Sequence, residues 1–128
     1  MFTFKKEERL SSRRVIGELF KSGKALNSGI YRVVWLPLDV QNAFPAQVVI
    51  SVPKRSFKKA VDRNRIKRLI KEAYRKHKSA LYDTLNGKQK KITFIIAYTA
   101  KEELPYAEIE SKLIITLQRL QTVLEKDN

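Results

Sequence analysis

Residues 92–98, Ile-Thr-Phe-Ile-Ile-Ala-Tyr, form an apolar run that only Thr93 interrupts. A strand with one wet face alternates apolar and polar residues. One this uniform needs cover on both faces, which puts it at the centre of a sheet. Residues 30–36, rich in β-branched and aromatic types, predict a second strand. Residues 46–52 predict a third, with Val48, Ile50 and Val52 on one face and Val49 and Ser51 on the other. Residues 24–27 add a short strand ahead of these. The mixture of Asp, Asn, Gln and a terminal Pro over residues 39–45 predicts a loop.

Helical signals fill the remaining sequence. Ser11 or Ser12 can cap a helix whose apolar residues are Val15, Ile16, Leu19 and Phe20, with Gly23 as its stop. Helical periodicity runs over residues 61–82 until Asn86-Gly87 breaks it. A last helix starts near Pro105, with Glu108 and Glu110 suited to its positive end. Its apolar stripe is Tyr106, Ile109, Leu113, Leu117, Leu120 and Leu124. The predicted architecture is α+β, a single-domain α/β sandwich over residues 1–128 in the order α-β-β-β-α-β-α. One sheet face stays partly open, because three helices cannot cover both.

A chain of 128 residues is long enough to bury one core, and the absence of Cys removes disulfides and thiol chemistry. The start, MFTFKKEERL, lacks the apolar core of a signal peptide, and no apolar run approaches a membrane span. The expectation is a soluble cytoplasmic protein that uses no membrane. The charge says more: 27 Lys and Arg against 13 Asp and Glu, a formal net charge of +14. Such an excess opposes compaction unless a polyanion neutralises it.

The excess is concentrated in residues 54–78, with 12 cations against two acids, Asp62 and Glu72. On the helix predicted there, Ile66, Leu69, Ile70, Ala73, Tyr74, His77 and Leu81 make a core-facing stripe. Asn64, Arg68, Lys71 and Arg75 lie opposite, flanked by Arg65 and Lys67. A merely solvated face would mix Glu with Lys at i,i+4. This one instead loads its start with Lys58, Lys59 and Arg63, where the helix dipole disfavours cations by about 0.3–1 kcal/mol each. Arg13 and Arg14 repeat the pattern on the first helix. A cationic helix start is poor for stability and good for phosphate, which points to nucleic acid. Asn64, neutral among cations, can meet a base edge, a 2′-hydroxyl or a metal-bound water.

Protein-borne catalysis has little to draw on. The one histidine, His77, falls on the core stripe, and the acid pairs Glu7-Glu8 and Glu102-Glu103 read as polar edges without a neighbouring His. No spaced glycine cluster could cradle phosphate. No catalytic residue and no metal site is assigned.

The segment SVPKRSFKKAVDRNRIKRLIKEAYR at 51–75 closely resembles the signature of the bacterial ribonuclease P protein family, and AVDRNRIKRLIKEAYR at 60–75 matches its RNR motif. LFKSGK at 19–24, ITFIIAYT at 92–99 and PYAEIESKL at 105–113 are similar to further family segments, so the likeness spans most of the chain. The resemblance implies an α/β sandwich with a left-handed βαβ crossover, against the usual rule of hand. It implies a catalytic RNA subunit with bound Mg²⁺, one protein per RNA, that removes the 5′ leader of precursor tRNA. Lys58, Lys59, Arg63, Asn64, Arg65, Lys67, Arg68, Lys71 and Arg75 would grip that RNA. Phe20, Arg32, Val34, Ser51 and Lys54 would line the cleft for the single-stranded leader, where stacking and phosphate contacts suit variable sequences. For Phe20, a core aromatic is the competing reading.

Two departures stand out. Ser56-Phe57-Lys58-Lys59 occupies a place where many relatives have a shorter Gly-containing turn. Val34 and Pro53 stand where an aromatic and a hydroxyl residue often occur. The rival functions are a ribosomal or ribosome-assembly protein, a protein nuclease in its own right, and, more weakly, a helix-turn-helix DNA binder.

Overall fold

The computed structural model of the protein describes residues 3–38 and 44–126. Four strands form one sheet: β1 (Lys24–Ser28), β2 (Tyr31–Pro37), β3 (Ala46–Ser51) and β4 (Ile92–Tyr98), in the order β1-β2-β4-β3. The apolar run at 92–98 is therefore an inner strand, antiparallel to β2 and parallel to β3. A two-residue turn joins β1 to β2, with Gly29 at φ +58, a conformation that Gly adopts without a Cβ penalty. Of the loop expected over 39–45, residues 39–43 lie outside the described residues.

Among the described residues, four α-helices accompany the sheet: α1 (Arg13–Ser22), α2 (Ala60–His77), α3 (Ser79–Gly87) and α4 (Tyr106–Lys126). Ser12 caps α1, its Oγ accepting the Val15 N–H at 3.3 Å. The single helix expected over 61–82 is instead two, interrupted at Lys78. The Lys78 backbone keeps helical angles, but its side chain is buried and its ammonium is drawn to the Glu8 carboxylate. A short 3₁₀ turn, Lys6–Glu8, brings Glu8 there.

The two sheet faces have unequal cover. Tyr31, Val33, Trp35, Val48, Ile50, Phe94 and Ile96 point into the larger core with Ile66, Ile70 and Tyr74 of α2, Leu81 and Leu85 of α3, and the α4 stripe. The Tyr31 hydroxyl ties sheet to helix by donating to the Ile109 carbonyl at 2.9 Å. Among the described residues, the opposite face is covered by α1 and by Leu10 just ahead of it, which with Leu19, Val34 and Ile95 make a small core. Burying Leu19 contributes roughly 1.5–3 kcal/mol to holding α1 there. Gly23 permits close seating: a Cβ would lie 2.4 Å from Val34 Cγ1 and 2.5 Å from the Leu19 carbonyl oxygen. Among the described residues, the rest of that face stays open, as the shortage of helices predicts.

Candidate nucleic-acid interface

The open face is built by register. Asn27, Arg32, Ala97 and Ser51 are successive cross-strand partners, so their side chains form one transverse row. Phe20, on the α1 flank, borders the same space. Phe20, Arg32, Ser51 and Ala97 line a cleft of about 840 Å³ with Pro53, Arg55, Ser56 and Lys101. Phe20 is 68% exposed, so the competing reading as a core aromatic is overturned. The stripe that α1 buries is narrow because a single helix rests on the sheet. Leu19 takes its centre, Val15 and Ile16 its edges, and Phe20 is left facing the cleft.

Two expected cleft residues sit elsewhere. Val34 is 5% exposed beneath α1, where Gly23 closes over it, so it supports the cleft from below. Lys54 is exposed on the turn after β3 and is not part of the lining, whereas Arg55, one residue on, is. Arg55 and Lys101 are the cations that sequence reasoning missed. Both lie in connecting segments without periodicity, and only their place just beyond β3 and β4 could have pointed to them.

The residues expected to grip RNA divide into committed and uncommitted groups. Arg63 Nη1 donates to the Phe57 carbonyl at 2.8 Å and the Lys58 carbonyl at 2.9 Å, clamping the preceding loop to α2. Phe57 anchors that loop in the core against Tyr98, with ring centroids 6.0 Å apart. Arg65 meets Glu103 at 2.8 Å and Asp62 at 3.7 Å. Arg75 grips Glu72 through two hydrogen bonds, 2.6 and 3.1 Å, and this holds the Glu72 carboxyl below its ordinary range. The face thus contains more internal pairing than its two acids suggested. Such solvent-exposed pairs are weak and screened by salt, so phosphate can compete for the same guanidinium groups.

Asn64, Arg68 and Lys71 are exposed, as are Lys58 and Lys59 ahead of the helix. Among the described residues, no side-chain hydrogen bond or ion pair engages Asn64, Lys67, Arg68 or Lys71 within α2. Lys67 is half-buried and, with Phe20, Val49 and Ser51, lines a smaller hollow of about 230 Å³. It therefore joins the basic helix to the cleft.

Two other expectations need correction. His77 is not packed in the core: its side chain is a third exposed, and Nε2 lies 2.9 Å from Glu110 Oε2 on α4. Glu8 is no polar edge but is wholly buried. Its carboxylate accepts from the Lys5 N–H at 2.6 Å, the Tyr82 hydroxyl at 2.5 Å, and Lys78. Burial pushes its pKa up, but these donors outweigh burial and hold it below the ordinary value. Among the described residues, no three His, Cys, Asp or Glu side chains gather as metal ligands. No described helix is long and apolar enough to cross a membrane.

A four-stranded α+β sheet with one face left open, bordered by a cationic helix, defines a small basic protein shaped to lie against a polyanion. A family model described as Ribonuclease P matches residues 4–121, and the chain belongs to that family, the protein component of bacterial ribonuclease P. The ribonuclease P protein component of Porphyromonas gingivalis strain ATCC 33277 is 34% identical over 119 residues, covering 93% of this chain and 87% of that protein. That of Thermotoga maritima is 28% identical over 122 residues, covering 93% and 97%. In solved structures, the Staphylococcus aureus RNase P protein superposes with a TM-score of 0.69 at 20% identity, covering 91% and 97% of the two chains. The Thermotoga maritima protein superposes with a TM-score of 0.64 at 24% identity, covering 88% and 96%. These matches favour ribonuclease P over the ribosomal reading, and a protein component of this family has an RNA subunit as its partner.

Proposed function

We propose that this chain acts as one domain, in one copy per RNA, to hold the RNA subunit on the outer face of α2 and the 5′ leader of precursor tRNA in the open cleft. Hydrolysis of the leader takes place in the RNA subunit, in the cytoplasm. The observation that carries this reading is the exposed Phe20 ring beside a cleft with Arg32, Arg55 and Lys101 in its lining, next to the uncommitted cations of α2. An aromatic face with surrounding cations can stack a base and neutralise phosphates without reading base edges, which suits a leader of variable sequence. Asn64, Lys67, Arg68 and Lys71, with Lys58 and Lys59, then meet the RNA subunit.

Mg²⁺ does not suit the α2 face itself. Its two carboxylates, Asp62 and Glu72, already face arginines, and cations crowd around them. The metal ions of the reaction are assigned to the RNA and substrate, and the protein contributes affinity and position. The purified chain alone should leave precursor tRNA intact, with or without Mg²⁺. Added to a bacterial ribonuclease P RNA, it should restore cleavage at low Mg²⁺. Cleavage by protein treated with nuclease to remove RNA would overturn the reading.

A further inference from the structure

The segment ahead of α1 does more than cover the outer edge of β3. Arg9 bridges to Val48, and the Leu10 N–H donates to the Val48 carbonyl at 2.8 Å. Glu8, adjacent to Arg9, is tied to the α2–α3 junction through Lys78 and Tyr82. Lys78 also donates to the Thr3 carbonyl, and its ammonium lies 5.8 Å from the Phe4 ring centroid and 5.0 Å from that of Tyr82. The segment is thus fastened at both of its faces. A buried ion pair is a poor source of net stability and a good means of fixing one geometry.

What it fixes is Arg9. This exposed side chain folds back, with its guanidinium carbon 5.5 Å from the Phe4 ring centroid and Nη2 donating to the Phe4 carbonyl at 3.2 Å. Arg9 and Phe4 form one wall of a groove of about 610 Å³, and Arg68, Lys71 and Arg75 of α2 form the other. Among the described residues that line it, the one carboxylate, Glu72, is occupied by Arg75. The groove is continuous with the outer stripe of α2, so one polyanion can follow both.

We propose that this groove is a second seat for the phosphate backbone of the RNA subunit, with Arg9 opposing Arg68 and Lys71 across it. The proposal rests on the reading of α2 as the RNA grip. Glu8 and Lys78 are positioning residues, which hold Arg9 where a backbone following α2 must pass. Arg9 is pre-ordered over Phe4 and so loses less side-chain freedom on binding than a free surface arginine would.

The test is a salt titration of RNA-subunit binding by the full chain, with Arg9→Ala, Arg9→Lys and Glu8→Gln. Arg9 is exposed, so its variants keep the fold. Arg9→Ala should raise Kd about fivefold, the scale of one exposed charged contact. It should also lower the slope of log K against log salt by about 0.7–0.9. Arg9→Lys should restore the slope. Adding Arg9→Ala to Glu8→Gln should cost less than Arg9→Ala costs the wild type, because the strap is already loosened. Additive losses would remove Glu8 from a positioning role. Steep salt dependence in the wild type that Arg9→Ala leaves unchanged in slope and Kd would overturn the groove and leave α2 standing. Absence of salt-dependent binding in the wild type would overturn both.

Discussion

Phe20 shows what a helical stripe can and cannot say. Its spacing from Ile16 is that of a core position, and periodicity alone gives both residues the same face. Which of them is buried depends on how much sheet lies beneath the helix, and that is settled in three dimensions. Strand alternation set Ser51 on the face opposite Val48 and Ile50, and the family resemblance pointed to Arg32, whereas Arg55 and Lys101 lie in turns that no periodicity organises. Because Phe20 is 68% exposed, Phe20→Ala should change stability by less than about 0.5 kcal/mol. It should weaken binding of leader-bearing precursor tRNA by about 1–3 kcal/mol, the range for one stacked base, and leave mature tRNA unaffected. Affinity measurements on the paired substrates separate the outcomes, and equal losses on both would deny Phe20 a leader contact.

At the scale of elements, the strands and the last helix follow from local pattern, because burial on one or both faces writes alternation or continuity directly into the residues. The division of α2 from α3 does not. Lys78 sits within an unbroken helical pattern, and its partner Glu8 is 70 residues away, so nothing local announces the interruption. The buried pair has a pH signature with a definite sign. The folded-state pKa of Glu8 lies below its ordinary value of 4.5, so its contribution is fully present above about pH 4.5. It is lost as pH falls from there through the lowered pKa, when protonation leaves Lys78 unpaired. Urea melts between pH 3 and 7 should show stability declining below about pH 4.5, and Glu8→Gln should flatten part of that decline. At neutral pH the variant should be less stable by roughly 3–5 kcal/mol, since it strands a buried ammonium. An unchanged acid limb in Glu8→Gln would mean that Glu72 and Glu110, also held below their ordinary range, account for it.

Across the whole molecule, charge and topology serve the same end. The sheet covers one face with three helices and leaves the other to α1, which opens a cleft beside the start of α2. The same region carries most of the chain's net charge of +14. The distribution of charge along the sequence made that polarity visible at once, while the internal pairing of Arg63, Arg65 and Arg75 arises only in the folded chain. Lys67 and Asn64 lie on the same helix and differ in charge, which makes them the sharpest probes of the claim that α2 grips RNA. The decisive measurement is a salt titration of binding to a ribonuclease P RNA for the wild type, Lys67→Ala and Asn64→Ala. The wild type should show log K falling against log salt with a slope magnitude of roughly 4 or more. Lys67→Ala should reduce that slope by about one, while Asn64→Ala should lower affinity with almost no change in slope. A flat salt dependence, or equal slope changes in the two variants, would contradict the assignment of α2 as the RNA grip.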